Sequence, residues 1–318
     1  MFLIIDRGTD PAWNLAAEEY LLTRRDDPVV RLWRNSDSVI IGRNQNAYAE
    51  IDLDFVERNH IPVVRRMTGG GAVFHDSGNV NYSFFDLKET RFTGVILDAL
   101  RELGIEGRCE GRNDLTLDGL KFSGTAVCKH GQRVLEHGTL LFDASFDRLS
   151  AALKPRPEKF SGKSVQSVRS RVTNLSGLLS VPMSVDEFIA HLAGSIGARL
   201  GCTPYDYSEE DRKCIEKLRE ERFANPEWNF GASPSYAFSN VKKFSAGLIE
   251  AHFDVRAGKM RGLHIFGDYF FERPTSEFCS LLERCPYHRK AIADCLDGVA
   301  IGEYFSGIGR EDIMSLLI

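Results

Sequence analysis

The sequence predicts an α+β protein with a large domain followed by a small C-terminal domain. Two patterns carry this prediction: short β-rich runs punctuated by Gly, Asn and Asp, and separate helical segments with recognisable ends. The length of 318 residues corresponds to about two domains of roughly 150 residues. Hydrophobic residues make up 43% of the chain, which is typical of packed soluble domains once glycine is added.

The large domain is predicted to begin with a helix and to continue as a sheet. Asp10 before Pro11 indicates a helix start, because the Asp side chain accepts from free amides and Pro fits the first turn. Asp118 followed by Gly119 favours a tight hairpin turn between two later strands. The earlier β-rich runs lie at 29–34, 38–43, 62–66, 72–76 and 79–86.

Further helices are predicted from their first and last residues. Thr93 is predicted to cap a helix that Gly104 closes. Ser184 and Glu187 form a capping-box pattern ahead of a longer helix that ends at Gly201.

Helical periodicity lapses around 225–240, and an alternating β pattern follows. We therefore predict a large domain over 1–240 and a small α+β domain over 244–318.

Charge, hydropathy and cysteine usage exclude several classes of protein. The net charge of −5 argues against a protein that coats nucleic acid, and the longest apolar runs are strand-sized, so no membrane span is predicted. The first residues lack a signal-peptide pattern, which predicts a cytoplasmic location. Seven cysteines without zinc-site spacing predict reduced thiols and no structural metal.

The segment 65–76 contains two arginines, three successive glycines and a return strand. Glycines let backbone amides approach a ligand closely and converge on an anion. The segment is neither a Walker loop nor a dinucleotide fingerprint, which makes a P-loop kinase or a Rossmann enzyme a poor fit. Strand alternation predicts that only one of Arg65 and Arg66 reaches a ligand. The alternative is a plain tight turn with two surface arginines.

Two further segments point to an anionic ligand. Lys121 alternates with Leu120 and Phe122, and small residues follow it, which leaves room for a ligand beside its ammonium group. Residues 154–171 hold six basic side chains and one acidic side chain. Such a segment is either a solvated surface loop or a lid that closes over phosphates.

These segments together resemble the bacterial-type lipoate–protein ligases. The resemblance runs from 65–76 through 111–115, 121–126, 137–141 and 167–175 to 227–231, so it covers most of the chain. It implies a catalytic domain of the biotin protein ligase and class II tRNA synthetase fold with a small C-terminal lobe. It also implies ATP and Mg²⁺ as cofactors, formation of lipoyl-adenylate, and transfer of the lipoyl group to a lysine.

The resemblance also implies roles for individual residues. Lys121 would be the catalytic group that bridges the lipoyl carboxylate and the α-phosphate, and Asp114 would lie near Mg²⁺. The nucleotide would be bound by Arg66, Gly71, Ala72, Val73, Phe74, Asn113, Lys121 and Lys163. Lipoate would be bound by Trp33, Gly69, Gly70, His137, Gly138, Thr139 and Lys121.

Other readings of the same resemblance stay open. Octanoyl and lipoyl transferases share the fold, act without ATP and in some cases use a cysteine, for which Cys128 is the candidate. A non-catalytic lipoate-binding paralogue is a third possibility. His75 and Asp76 are interpreted as structural, because no serine or cysteine nucleophile adjoins them. For the ligase, the implied acceptors are lipoyl domains of 2-oxoacid dehydrogenase E2 subunits and the glycine cleavage H protein. The enzyme itself is expected to be monomeric.

Overall fold

A computed structural model describes residues 1–45, 47–86, 92–111, 113–153, 172–230, 238–256, 258–287 and 289–318. The strands are β1 Phe2–Ile5, β2 Val29–Trp33, β3 Ser38–Ile41, β4 Val63–Arg65, β5 Val73–His75, β6 Asn79–Asp86, β7 Arg108–Glu110, β8 Asp114–Leu117, β9 Leu120–His130, β10 Arg133–Leu141, β11 Thr203–Pro204, β12 Phe238–Phe244, β13 Gly247–Arg256 and β14 Lys259–Gly267. The helices are α1 Pro11–Arg24, α2 Ala47–Glu50, α3 Leu53–Arg58, α4 Thr93–Arg101, α5 Phe146–Ala152, α6 Val185–Leu200, α7 Glu209–Leu218, α8 Pro226–Phe230, α9 Thr275–Leu282, α10 Arg289–Cys295, α11 Ile301–Tyr304 and α12 Arg310–Leu317.

An eight-stranded sheet forms the centre of the large domain, in the order β11-β1-β2-β6-β10-β9-β8-β7. One face packs against α4 and α6 through a core that includes Phe84, Phe122 and Phe188. The other face packs against α1 through a core that includes Leu15 and Trp33. A second sheet, β4-β3-β5, carries the glycine segment beside this second face.

Local capping explains where several helices begin and end. Asp10 accepts from the Ala12 amide, and Ser184 with Glu187 forms a complete capping box, so both predicted starts are confirmed. Gly201 closes α6 in the left-handed conformation at φ 61°. The prediction for Thr93 is wrong: it is the first helical residue and makes no capping bond.

At the start of α4, the Phe92 amide instead donates to the Glu136 carboxylate of β10 at 2.9 Å. A contact from another strand has therefore replaced the local cap. The predicted hairpin turn is confirmed, since Asp118 and Gly119 have φ values of 51° and 78°.

The C-terminal lobe contains the sheet β12-β13-β14 and the helices α9 to α12 around its own core. Phe238–Phe244 pairs along its whole length with β13. Because β12 pairs with β13, β12 belongs to the C-terminal lobe. The sheet of this lobe therefore begins at Phe238, before the predicted start at 244.

The segment predicted to lack periodicity also contains α8, which Asn225 begins by accepting from the Glu227 amide. Among the described residues, no helix combines the length and the apolar character that a membrane crossing requires.

Candidate active site

The glycine segment joins β4 to β5, and its two arginines lie on different sides of the chain. Arg65 is buried, and its guanidinium donates to the carbonyl oxygens of Gly42, Gln45 and Asn229. Because Asn229 belongs to α8, these bonds hold α8 against the sheet β4-β3-β5. Arg66 lines a cavity of about 170 Å³. The structure thus places one of the two arginines at the candidate site, as strand alternation predicts.

The Arg66 guanidinium also shapes the glycine segment itself. It donates to Thr68 Oγ1 at 2.9 Å, to the Gly69 oxygen at 2.7 Å and to the Gly71 oxygen at 2.9 Å. Burial lowers the pKa of Arg66 to about 10, which leaves the group cationic at neutral pH. A buried positive charge therefore lies behind the glycine loop.

Two of the three glycines are required by the local structure, each for a different reason. Gly70 has φ +91°, which favours glycine. A Cβ at Gly69 would lie 2.3 Å from the Tyr269 carbonyl oxygen of the C-terminal lobe, so this glycine allows the two lobes to approach. Gly69 does not line the cavity, whereas Gly70 and Gly71 do.

The floor of the cavity is one row of residues across the central sheet. Successive register partners share a face of the sheet, so their side chains point in the same direction. With strands about 4.8 Å apart, β9 and β2 are separated by roughly 14 Å. The row consists of Trp33 on β2, Asn81 on β6, Thr139 on β10, Gly124 on β9 and Asp114 on β8.

The two ends of this row differ in chemistry. At one end, Lys121 Nζ lies 2.7 Å from Asp114 Oδ1. At the other end, Trp33 packs with Leu15 and Ile40 in one apolar cluster, and all three line the cavity. The cavity therefore has a charged end and an apolar end, which suits an elongated amphipathic acid.

Lys121 reaches the cavity face because β9 contains an irregularity. Leu115 pairs with Ser123 but Thr116 pairs with Lys121, so Phe122 is an extra residue in β9. This bulge places Lys121 on the same face as Gly124, three residues later, while Phe122 is fully buried on the other face. The prediction that Lys121 faces away from Phe122 is thus confirmed. The arrangement results from the bulge together with strand alternation.

A chain of buried hydrogen bonds runs beside the cavity. Thr68 Oγ1 contacts His137 Nε2 at 2.8 Å, and His137 Nδ1 contacts Glu18 Oε1 at 2.9 Å. Ser83 donates to the same Glu18 oxygen and accepts from Trp33 Nε1. His137 and Trp33, both predicted to bind lipoate, are thereby held in fixed positions.

Glu18 is the carboxylate at the centre of this chain. Burial alone would raise its pKa, but the charge of His137 and hydrogen bonds from His137 and Ser83 lower the pKa overall. Glu18 is therefore an ionised acceptor that orients its neighbours.

Gly138 has a structural role in addition to its predicted contact with lipoate. Its backbone lines the cavity, but a Cβ there would meet Tyr82 Oη at 2.4 Å on the opposite face of the sheet. Glycine is required here for packing of the core. Phe74 is similarly buried in the cluster beneath the second sheet, and its side chain does not line the cavity.

The candidate metal residue, Asp114, is paired with Lys121. Among the described residues, no group of three His, Cys, Asp or Glu side chains has the arrangement of a metal site. Of the carboxylates in the described part of the chain, Asp114 is the one that lines the cavity. A divalent cation there would depend mainly on oxygen atoms of its ligand.

Cys128 lies on β9 but does not line this cavity. Burial raises the pKa of its thiol to about 12, with a further contribution from Glu18. A thiol in this state is a poor nucleophile at neutral pH.

The structure brings most of the predicted residues together. Lys163 and the basic segment 154–171 lie outside the described residues. Leu153, the last described residue before that segment, forms an isolated β-bridge with Ile51. Val172, the first described residue after it, forms an isolated β-bridge with Lys121. The predicted residues that line the cavity are Trp33, Arg66, Gly70, Gly71, Ala72, Val73, Asn113, Asp114, Lys121, His137, Gly138 and Thr139.

Sequence reasoning missed several cavity residues. Leu15 and Ile40 carry only the signal of core positions, and Phe270 comes from the other lobe. Asn81 sits among apolar neighbours on β6, and a polar residue in a buried strand is a signal that could have indicated it. His75 was interpreted as structural, yet it also lines the cavity.

Comparisons with known proteins show the family to which the chain belongs. Residues 10–197 match the lipoyl protein ligase A/B catalytic domain family, and residues 233–317 match the bacterial lipoate protein ligase C-terminus family. The chain is 40% identical to lipoate-protein ligase LplJ of Bacillus subtilis, over 100% of this chain and 99% of that protein.

Solved structures of lipoate-protein ligases have a fold similar to that of this chain. P. falciparum LipL1 in complex with lipoate has a TM-score of 0.80 at 24% identity, over 99% of this chain and 97% of that chain. Lipoate-protein ligase A bound with ATP has a TM-score of 0.64 at 28% identity, over 72% of this chain and 98% of that chain. The predicted α+β fold with a small C-terminal lobe is confirmed, and the chain belongs to the lipoate–protein ligase family.

Proposed function

We propose that this chain activates free lipoate with ATP and transfers the lipoyl group to a lysine of an acceptor domain. The observation that carries the proposal is the cavity with Lys121 at one end and Trp33 at the other, bordered by a glycine loop over a buried arginine. Family membership and the ATP-bound and lipoate-bound structures of similar proteins support it.

In the first step, a carboxylate oxygen of lipoate attacks the α-phosphorus of ATP and pyrophosphate leaves. Two anions must approach each other, so fixed positive charge and positioning lower the barrier. Lys121 supplies the charge between the carboxylate and the α-phosphate, which requires its ammonium group to exchange Asp114 for these oxygens.

The remaining residues divide between the two ends of the substrate. In this proposal, Trp33, His137 and Thr139, which line the cavity, border the acyl chain. Asn113 and the amides of 71–74 border the nucleotide; of these, Asn113 and residues 71–73 line the cavity. Lys163 adds positive charge from the basic segment. Asp114, which lines the cavity, would be the protein ligand nearest in chemistry to Mg²⁺, and the ion would supply positive charge beside the phosphates.

In the second step, the amine of an acceptor lysine attacks the carbonyl carbon of the adenylate and AMP leaves. The mixed anhydride is already activated, so no enzyme nucleophile is needed. This agrees with the raised pKa of Cys128, which disfavours the thioester route of the transferases.

In this proposal, the acceptors are lipoyl domains of 2-oxoacid dehydrogenase E2 subunits and the glycine cleavage H protein. The enzyme acts as a monomer, and its location is the cytoplasm.

Substitution of Lys121 tests the proposal. We expect Lys121→Ala to lower lipoate-dependent pyrophosphate release by about 100-fold or more, since it removes a charge placed at the reacting groups. Lys217→Ala, on the surface of α7, is the matched control and should leave the rate unchanged. Normal activity of Lys121→Ala with unchanged melting temperature would remove Lys121 from the mechanism.

A further inference from the structure

His75 lies at the apolar end of the cavity, away from Lys121. Its ring packs at 67° to that of Trp33, with the ring centroids 6.2 Å apart, and the residue is 3% exposed. The chemistry proposed above occurs at the other end of the row and does not use this imidazole.

The hydrogen bonds around His75 fix which ring nitrogen carries the proton. Arg31 has only donors, so Asn14 Oδ1 must accept from it and Asn14 Nδ2 must donate. Asn14 Nδ2 donates to Asn35 Oδ1 at 2.9 Å, which leaves Asn35 Nδ2 as the donor to His75 Nδ1 at 3.0 Å. His75 Nδ1 is therefore an acceptor, and the proton of the neutral ring is on Nε2.

The ring is also held in its neutral form. Burial lowers the pKa of His75 to about 3, and the positive charge of Arg66 acts in the same direction. Among the described residues, His75 Nε2 has no hydrogen-bond partner, although the atom is buried. The result is a buried N–H donor beside the cavity for which the described residues supply no acceptor.

A second buried donor without a partner in the described part of the chain lies at this end of the cavity, in the side-chain amide of Asn81. Asn81, the register partner of Trp33, is 1% exposed, and its Nδ2 has no partner among the described residues. A buried donor without an acceptor is destabilising, so a ligand that supplies an acceptor here is favoured over one that does not.

We propose that His75 Nε2–H determines acyl specificity by donating to the ring sulfurs of the dithiolane at the far end of a bound lipoyl chain. Divalent sulfur is a weak acceptor, whereas the end of an octanoyl chain offers none. The inference rests on the proposed function, because it takes lipoate to be the acid whose carboxylate lies at Lys121.

The test compares lipoate with octanoate in the wild type and in His75→Phe. Phenylalanine preserves an aromatic ring against Trp33 but removes the donor. We expect the ratio of kcat/KM for lipoate to kcat/KM for octanoate to fall about tenfold, as a hydrogen bond from a buried group is lost. His75→Gln retains an N–H donor and should restore part of the ratio.

Equal losses for both acids in His75→Phe would overturn the inference, because a residue that only supports the pocket affects both chains alike. If this variant does not fold, the wild type decides the question by NMR of ¹⁵N-histidine-labelled protein. Lipoate should shift the His75 Nε2–H resonance and octanoate should not; no difference between them would also overturn the inference. Absence of pyrophosphate release with either acid would instead contradict the proposed function.

Discussion

At the residue scale, the charge of Glu18 organises one side of the cavity, although no sequence pattern indicated this residue. It lies on α1 and is 2% exposed, and it connects His137 to Trp33 through Ser83. In the proposed reaction Lys121 contacts the anions and Arg66 supports the glycine loop, whereas Glu18 keeps the side chains along the acyl chain in place.

Substitution of Glu18 has a defined effect on the pH dependence of stability. The pKa of Glu18 is lowered in the folded state from its ordinary value of 4.5. Its ionised form therefore stabilises the fold above pH 4.5, and this contribution is lost as the pH falls through the folded pKa. We expect Glu18→Gln to lower the free energy of unfolding by about 1–3 kcal/mol at pH 7.

The difference between wild type and Glu18→Gln should be constant from pH 7 to about pH 5 and should shrink at lower pH. Denaturant unfolding across this range measures it. A difference that grows toward acidic pH would mean that burial raises the pKa of Glu18 instead.

The predictability of individual residues depended on the kind of signal they carry. Lys121 and the glycine segment stand out because a charge among small residues and three glycines are unusual within strands. Glu18 and Asn14 are buried on α1, where their spacing looks like that of any helical polar residue. Their partners Arg31, Ser83 and His137 lie on β2, β6 and β10, so only the folded arrangement gives them a role.

At the element scale, the bulge at Phe122 and two glycines of adjacent strands adapt the central sheet to its two faces. Gly124 faces the cavity, where a Cβ would lie 3.2 Å from Lys121 Nζ. Gly138 faces the core, where a Cβ would lie 2.4 Å from Tyr82 Oη. Strands β2 and β6 and the turn between β8 and β9 were predicted from the sequence, whereas β1, β7 and β11 of the same sheet were not. Strand alternation alone could not show the bulge, because it arises from pairing with β8.

The two glycines should therefore fail in different ways when replaced. Gly138→Ala should lower the free energy of unfolding by about 1–3 kcal/mol, because Tyr82 has no room to move in the core. Gly124→Ala should leave stability within about 0.5 kcal/mol and lower kcat/KM for lipoate, since only the flexible end of Lys121 is crowded. Thermal unfolding and pyrophosphate release on both variants separate the effects, and the reverse pattern would contradict the assignment of the faces.

At the scale of the whole molecule, the two lobes meet at the glycine segment. The Tyr269 oxygen lies against Gly69, the Gly267 amide donates to the Asn44 oxygen at 2.6 Å, and Phe270 lines the cavity. Two domains followed from length and composition. Their contact at the site did not, because loop 268–274 carries no motif that links it to 69–71.

This contact can be tested within the glycine segment. Gly69→Ala should push the lobes apart, because its Cβ would meet backbone that has no freedom to rotate away. We expect a larger radius of gyration in small-angle X-ray scattering and a loss of stability of about 1–3 kcal/mol. Gly71→Ala is the matched control for shape, since its Cβ would meet nothing within 4 Å. Equal scattering from both variants would contradict a lobe contact at Gly69.

In the proposed reaction, this chain uses ATP to couple free lipoate to an acceptor lysine through Lys121. The most direct measurement follows lipoylation of an apo lipoyl domain by mass spectrometry, together with pyrophosphate release, with and without ATP. We predict ATP-dependent modification with one pyrophosphate per lipoyl group transferred. Modification from a lipoyl or octanoyl acyl carrier protein without ATP, and none from free lipoate with ATP, would contradict the account.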